Sequence, residues 1–269
     1  MRIVVHGGAG HSAEEQDGVD AAAGIGWELL AGGADAVSAA VTAVVALEDD
    51  PRFNAGTGSC LRADGSVQVD AAVACSDGRL GTVAALEDIA NPVRVARLVM
   101  DEEFDTLVGS GAQAYAQAHG IAPAPVTGSQ RKSATDTVGV VALDAEGVFA
   151  VASSTGGVSG RPAGRVGDTP HWGRGLCTPA GSGLARTGIR QAHSPPLLCL
   201  PGAEQSANGP SLAPALAERT PSAGFKTRRC YLKVKVAPNH SHWDPTSMTT
   251  WSAALQSARV HHWLTAAGK

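Results

Sequence analysis

The order of helical and strand patterns in this chain of 269 residues predicts a mixed α/β fold, arranged as a four-layer αββα sandwich. Two alanine-rich segments, Asp17–Leu30 and Ala34–Leu47, repeat apolar residues three and four positions apart, which is the pattern of one helix face. Short apolar segments with β-branched residues then predict strands. The last of these strand pairs opens at a threonine, Thr137. Helices followed by strands, with alanine faces that allow close packing, are typical of helices layered on a sheet.

The remaining elements follow in chain order, each bounded by residues that favour turns. They are the strands Arg2–Val5, Ser66–Cys75 and Gly81–Ala85, the helices Pro92–Met100 and Gly109–His119, and the hairpin strands Val138–Leu143 and Val148–Ser153. The Asp64-Gly65 turn leads into the second strand, and Pro92 suits a first helical turn, where its missing N–H is not needed. Pro123–Arg131 is rich in Pro, Gly and polar residues and is interpreted as a linker.

The composition changes near residue 170. Residues 1–170 carry 22 acidic and 10 basic side chains, whereas residues 171–269 carry 3 acidic and 11 basic ones and 9 of the 15 prolines. Within that tail, Cys230–Val236 is interpreted as one strand and Ser252–Leu264 as one helix. We therefore expect an atypical tail at 171–269 whose reading frame is disturbed, with the sandwich incomplete or disordered after about residue 170.

Several classes of protein are excluded by composition. Five cysteines occur without a CxxC pair, and no His or Cys residues have zinc spacing, so no metal site built from side chains is expected and the thiols are expected to be reduced. No run of about 18 apolar residues exists, which excludes a membrane span. Because Met1 leads directly into a strand, no signal peptide is expected and a cytoplasmic location is favoured. The basic tail has no recognition motif, so nucleic acid is not expected as a partner.

The glycine-rich segment His6–Gly10 follows the first strand, where a phosphate-binding loop would lie. It lacks the GxGxxG spacing, and no Lys-Ser/Thr follows it. Nucleotide binding is therefore not predicted. We interpret His6 as a hydrogen-bonded structural histidine.

Thr137 has a chemistry of its own if the chain breaks between Asp136 and Thr137. A threonine hydroxyl is a weak nucleophile until a base takes its proton. A freed α-amine titrates at roughly pH 7.7–8.0, so the same residue would supply both nucleophile and base. The alternative is that Thr137 is an ordinary β-branched strand residue.

Five motifs in order decide between these interpretations. They are HGGAG at 6–10, FNAGTGS at 53–59, DTVGVVALD at 136–144, STGG at 154–157 and GRVGD at 164–168. Over residues 1–170 the chain resembles the plant-type L-asparaginase/isoaspartyl peptidase family, which is related to the aspartylglucosaminidases. The resemblance implies an N-terminal-nucleophile hydrolase that cuts itself into α and β chains, hydrolyses β-aspartyl peptides and L-asparagine, and forms a dimer of αβ units. Residues 1–136 would be the α chain, and 137–170 would begin the β chain.

The resemblance also assigns roles to individual residues. Thr137 matches the nucleophile, and Thr155 matches the threonine whose hydroxyl orients it. Arg165 and Asp168 match the pair that holds the amino-acid end of the substrate, since a guanidinium binds a carboxylate through two hydrogen bonds. An alternative is that Arg165 and Asp168 form a surface ion pair that closes a turn.

Three further assignments concern loops. Asn54 and Gly56 belong to the family loop near the active site, and the resemblance implies that backbone carbonyls of residues 47–57 bind a structural sodium ion. Thr187 and Gly188 match a pair that stabilises charge in the transition state. Arg190 and Gln191 replace the Gly-Glu expected after them. An inactive relative with a damaged C-terminal half is therefore the alternative function, and a binding protein that uses the basic tail is a third.

Overall fold

The computed structural model describes residues 1–8, 15–129, 137–179, 181–188, 229–235 and 262–265. Its helices are α1 (Gln16–Ala31), α2 (Ala36–Asp49), α3 (Pro92–Val99) and α4 (Gly109–Ala118). Its strands are β1 (Arg2–His6), β2 (Val69–Cys75), β3 (Leu80–Leu86), β4 (Thr106–Val108), β5 (Val138–Leu143), β6 (Phe149–Thr155), β7 (Leu176–Cys177), β8 (Ser182–Gly188), β9 (Arg229–Lys235) and β10 (His262–Thr265).

The strands form two sheets. The first has seven strands in the order β10-β1-β5-β6-β2-β3-β4, and the second has three in the order β7-β8-β9. All pairings are antiparallel except the one between β3 and β4. Mixed helices and sheets confirm the predicted α/β class. The β5–β6 hairpin lies at the centre of the first sheet, so both of its strands are fully buried.

Helices α1 and α2 pack against one face of the first sheet because their own small residues allow a close approach. Gly26 of α1 leaves room for the Ile3 side chain of β1, whose Cδ1 lies 2.3 Å from where a Cβ would stand. Helix α2 is capped at its N-terminus by Asp35, whose Oδ1 accepts a hydrogen bond from the Ser38 N–H at 2.7 Å. A side-chain acceptor at this position stabilises a helix start.

The opposite face of the first sheet is covered by the second sheet. Val141, Phe149 and Val151 of the first sheet belong to one buried cluster with Leu176 and Ala185 of the second. The described residues thus supply three layers, in the order helix, sheet and sheet. The fourth layer of the predicted sandwich is not among the described residues and stays a prediction.

The tail continues the fold at three points. Residues 176–188 provide β7 and β8, and the strand predicted at Cys230–Val236 is present as Arg229–Lys235. The helix predicted at Ser252–Leu264 is wrong at its end, because His262–Thr265 is a strand that pairs with β1; residues 252–261 lie outside the described ones. An open sheet edge, which sequence periodicity does not encode, sets the conformation there.

Two expectations about compartment and membrane can be compared with the structure. Cys60 and Cys75 are free and buried, but Cys177 is disulfide-bonded, so the expectation of reduced thiols is wrong for that residue. Among the described residues, no helix combines the length and the apolar character needed to cross a membrane.

Candidate active site

Thr137 and Thr155 face each other at one end of the central hairpin. The register pairs Val138 of β5 with Ser154 of β6, which brings the residues just outside this pair together. The Thr137 hydroxyl donates to Thr155 Oγ1 at 3.1 Å, and the two residues are only 7% and 3% exposed. The hairpin register therefore holds two threonine hydroxyls in contact, shielded from water.

The Thr155 hydroxyl is itself oriented by the loop that follows it. The Gly157 N–H donates to Thr155 Oγ1 at 3.0 Å, so this oxygen accepts from both the backbone and Thr137. Hydrogen bonds in a site shielded from water are stronger than in solution and reinforce one another. The arrangement fixes the direction of the Thr137 hydroxyl and can prepare its oxygen for nucleophilic attack.

Asn54 ties the FNAGTGS loop to this turn. Its Nδ2 donates to the Gly157 carbonyl at 2.8 Å, and its Oδ1 accepts from the Cys60 N–H at 3.0 Å. Its own carbonyl accepts from the Gly156 N–H at 2.8 Å. The buried Asn54 amide both donates and accepts a hydrogen bond, and these contacts fix the loop.

Two glycines in this region leave no space for a side chain. A Cβ on Gly156 would lie 2.5 Å from Asn54 Oδ1. Gly56 has a φ of +49°, and its Cβ would lie 2.3 Å from the Ala90 carbonyl oxygen and 2.6 Å from that of Glu48. Gly56 therefore brings these two carbonyl oxygens close to the main chain.

The same carbonyls bear on the expected sodium ion. Glu48 O accepts from Thr57 Oγ1 at 2.7 Å, and Ala90 O lies beside Gly56. Carbonyl oxygens are ligands that hard cations prefer, so the donor chemistry fits. Among the described residues, no group of three His, Cys, Asp or Glu side chains could hold a metal ion.

The carboxyl group of Glu48 lies at the junction of α2 and α3. It is fully buried, and its Oε1 accepts from the N–H of Val93 in the first turn of α3 at 3.1 Å. Burial raises its pKa from 4.5 to about 8, although the Val93 N–H acts in the opposite direction. Glu48 is therefore mostly a neutral carboxylic acid at pH 7.

Arg165 and Asp168 lie on the loop after β6, and both are partly exposed. Within the described part of the chain, neither takes part in an ion pair, so the alternative of a turn-closing surface pair does not match the geometry. Burial and the positive charge of Arg62 lower the pKa of Arg165, whereas Asp70 and Asp168 act to raise it. The loop thus offers one cation and one anion, as binding of an amino acid requires.

The structure also places three buried polar residues near this loop that the sequence did not predict, namely Arg62, Gln68 and Asp70. Arg62 is 2% exposed, its Nη2 donates to the Gln68 carbonyl at 2.9 Å, and its guanidinium lies against Gly157. Asp70 is fully buried, pairs with Thr155 across β2 and β6, and accepts from the Ala85 N–H at 2.8 Å. Burial raises the pKa of Asp70, against the opposing effect of Arg62 and Arg165.

One signal in the sequence could have found Asp70. It is the only charged residue in β2, a strand that is otherwise apolar and wholly buried. Charged side chains are almost never fully buried unless they are paired, so such a residue indicates a structural or functional role. Gln68, just before β2, gives no comparable signal.

The other predicted residues lie at the limits of the described structure. Asp136 is outside the described residues, and so is the bond expected to be cut. Thr187 and Gly188 end β8, where their backbones pair with Cys230 and Arg229. Ala185, two residues before Thr187, packs close to Gly139. Gly139 in turn follows Thr137 by two residues. The end of β8 therefore runs near the start of β5.

Comparison with known proteins yields a consistent set of similarities. A protein-family model described as Asparaginase matches residues 1–130 and 122–191, so the likeness continues 21 residues past position 170. The isoaspartyl peptidase/L-asparaginase of Macaca fascicularis is 42% identical over 204 residues, covering 64% of this chain and 66% of that protein. The human protein of the same name is 41% identical over 204 residues, with the same coverage.

A second kind of relative gives a longer alignment. The plant-type L-asparaginase of Pyrococcus abyssi (strain GE5 / Orsay) is 37% identical over 227 residues, covering 70% of this chain and 74% of that protein. Against the two mammalian relatives, in contrast, this chain spans slightly less than two thirds of their length.

Proposed function

This chain belongs to the asparaginase family, and from that premise we propose that it hydrolyses β-aspartyl peptides and L-asparagine with Thr137 as the nucleophile. The observation that carries the proposal is the buried hydrogen bond between the hydroxyls of Thr137 and Thr155 at 3.1 Å. The names of the relatives, isoaspartyl peptidase/L-asparaginase and plant-type L-asparaginase, support the substrate class.

The first step of the proposal is self-cleavage between Asp136 and Thr137. The Thr137 oxygen attacks the Asp136 carbonyl carbon, the peptide C–N bond breaks, and an ester joins the two residues. Water then hydrolyses the ester, which leaves a carboxylate on Asp136 and a free α-amine on Thr137. An α-amine has a pKa of roughly 7.7–8.0, so a useful fraction is unprotonated near neutral pH.

In the catalytic cycle, the Thr137 α-amine takes the hydroxyl proton as the oxygen attacks the substrate side-chain carbonyl. The same proton passes to the leaving ammonia or amine, and an acyl-enzyme ester remains. Water adds to that ester and releases L-aspartate. Thr155 contributes by accepting from the Thr137 hydroxyl in the ground state, which keeps the nucleophile aligned.

Substrate recognition falls to the loop after β6. Arg165 binds the α-carboxylate through two hydrogen bonds, and Asp168 accepts from the α-ammonium. The partial exposure of both residues and their freedom from ion pairs within the described part of the chain support this assignment. Thr187 and Gly188 are proposed to stabilise the charge on the reacting carbonyl oxygen.

Two measurements test the proposal together. Purified protein on a denaturing gel, with mass spectrometry, should show a break between Asp136 and Thr137, and enzyme assays should show L-aspartate released from L-asparagine and from a β-aspartyl dipeptide. Thr137→Ala should abolish both. Thr42→Ala is the control, because the Thr42 hydroxyl bonds only within α2, to the Ser38 carbonyl. Hydrolysis that persists in Thr137→Ala would refute the proposal.

An inactive relative is the second candidate. The family match ends at residue 191, and Arg190 and Gln191 occupy positions where the family pattern has Gly-Glu. This candidate predicts one uncut chain on the gel, or a cut protein that releases no L-aspartate from either substrate.

Two further features are part of the proposal. A sodium ion bound by carbonyls of residues 47–57 is supported by the Glu48 carbonyl oxygen, which lies beside Gly56. It predicts a thermal midpoint that is higher in sodium chloride than in tetramethylammonium chloride at equal ionic strength. A dimer of αβ units is tested by light scattering of the purified protein, and a monomer at micromolar concentration would contradict it.

A further inference from the structure

The loop that carries Arg165 and Asp168 is attached at two points to one strand. Gln68 Oε1 accepts from the Gly164 N–H at 2.6 Å, and Asp70 Oδ2 accepts from the Gly167 N–H at 3.4 Å. Gln68, just before β2, and Asp70, within it, therefore bind the GRVGD segment at its first and fourth residues.

Both anchors are themselves fixed. Gln68 Nε2 donates to Glu87 Oε1 at 2.9 Å, and the Gln68 carbonyl accepts from Arg62 Nη2 at 2.9 Å. Asp70 is fully buried, and its other oxygen accepts from the Ala85 N–H. Neither anchor can move without breaking a second hydrogen bond.

The strand also connects the loop to the two catalytic hydroxyls. Asp70 lies directly opposite Thr155 in the pairing of β2 with β6, and Thr155 contacts Thr137. A displacement of the loop relative to β2 is therefore a displacement relative to the nucleophile. Positioning matters steeply in catalysis, since a misplacement of about 1 Å can lower the rate on the order of a hundredfold.

From these contacts we propose that Gln68 and Asp70 are positioning residues, which set where Arg165 and Asp168 hold the amino-acid end of the substrate relative to Thr137. The inference rests on the proposed function for the identity of that substrate. Gln68 and Asp70 do not touch the reacting atoms; they act through the backbone of the loop. Asp70 also lies near Arg62 and Arg165, whose positive charges repel each other.

The central test replaces Gln68 without changing its length. Gln68→Met removes the acceptor for the Gly164 N–H, so we expect KM to rise about tenfold, equivalent to 1.4 kcal/mol, for L-asparagine and for a β-aspartyl dipeptide. The turnover number should stay within about threefold of wild type, and self-cleavage should proceed normally. The dissociation constant for L-aspartate, measured by calorimetry, should rise by the same factor as KM.

The contact with Glu87 supplies matched controls. Glu87→Ala removes the outer hydrogen bond of Gln68 but leaves the acceptor for the Gly164 N–H, so it should raise KM less than Gln68→Met does. The double exchange of Gln68→Glu with Glu87→Gln keeps one amide and one carboxylate facing each other and retains an acceptor for Gly164, so it should restore KM. If Gln68→Met does not fold, Asp70→Asn serves instead. An Asn side chain has one acceptor oxygen for the two N–H groups of Ala85 and Gly167 that Asp70 binds, so this variant should also weaken L-aspartate binding.

The outcomes separate this inference from the proposed function. If wild-type protein binds L-aspartate but hydrolyses nothing, the proposed function fails and the dissociation constants of the variants still decide the positioning role. Unchanged KM and L-aspartate binding in Gln68→Met, with only a lower thermal midpoint, would make Gln68 merely structural and overturn the inference. So would a loss of turnover with unchanged KM, or wild-type protein that binds no L-aspartate.

Discussion

Ionisation of Glu48 should make the free energy of unfolding depend on pH, and Glu48→Gln should remove this dependence. Its carboxyl is fully buried between α2 and α3, and burial raises its pKa from 4.5 to about 8 in the folded protein. A group whose pKa is higher in the folded state stabilises most below its unfolded pKa, and that contribution is lost as pH rises through the folded pKa. The free energy of unfolding should therefore fall between about pH 4.5 and pH 8.

The size of the effect follows from the two pKa values. Each pKa unit corresponds to about 1.4 kcal/mol, so a rise from 4.5 to about 8 represents roughly 5 kcal/mol in full. Glu48→Gln removes the ionisation but keeps an oxygen that can accept from the Val93 N–H. We expect the variant to match wild type near pH 4.5 and to be more stable by several kcal/mol above pH 8.

Urea unfolding at pH 5 and at pH 8.5 measures this difference. Wild type and variant share all other titrating groups. The change between the two pH values in the difference of their free energies of unfolding therefore isolates the effect of Glu48. Glu28→Gln, at an exposed position on α1, is the control and should show no such change. A gap between wild type and Glu48→Gln that is the same at both pH values would show that the carboxyl does not carry the assigned penalty.

Three other predictions concern the turn and the substrate loop. Gly156→Ala would place a Cβ 2.5 Å from Asn54 Oδ1 and should lower stability by about 1–3 kcal/mol in thermal unfolding; Gly24→Ala, in an open position of α1, should raise it instead by about 0.5–1 kcal/mol. Thr155→Val keeps the shape but removes the hydroxyl that contacts Thr137, so self-cleavage followed on a gel should slow at least tenfold, and a normal rate would contradict the assigned role. Arg165→Lys loses the two-pronged contact and should lower kcat/KM by about ten- to a hundredfold with cleavage intact, whereas unchanged kinetics would make the residue structural.

The sequence predicted those parts of the fold that local patterns control. The hairpin strand Val138–Leu143 was predicted with its observed bounds because it is a short apolar run, and the short turn after it sets the register of the hairpin. That register places Thr137 beside Thr155, so the contact between the two hydroxyls follows from local sequence. The helices α1 to α4 lie within two residues of their predicted ends for the same reason.

The anchors of the substrate loop could not be predicted in that way. Gln68 and Gly164 are 96 residues apart, and Asp70 and Gly167 are 97 apart. They meet because β6 pairs with β2 in the first sheet, and neither strand's own pattern specifies its neighbour. The error at the end of the helix predicted at Ser252–Leu264 has the same origin, since the strand at 262–265 depends on the free edge of β1.

The residues proposed for self-cleavage and those proposed only for hydrolysis lie in different parts of the chain. The hydroxyl pair and its supports, Asn54 and the turn at residues 155–157, all lie in the first 157 residues and are mutually hydrogen-bonded. Thr187 and Gly188, proposed to stabilise charge on the reacting carbonyl, come at the end of β8, four and three residues before the family match ends at 191. A protein that cuts itself but releases no L-aspartate would therefore point to β8 or the substrate loop, whereas an uncut protein would point to the threonine pair or the Asp136 junction.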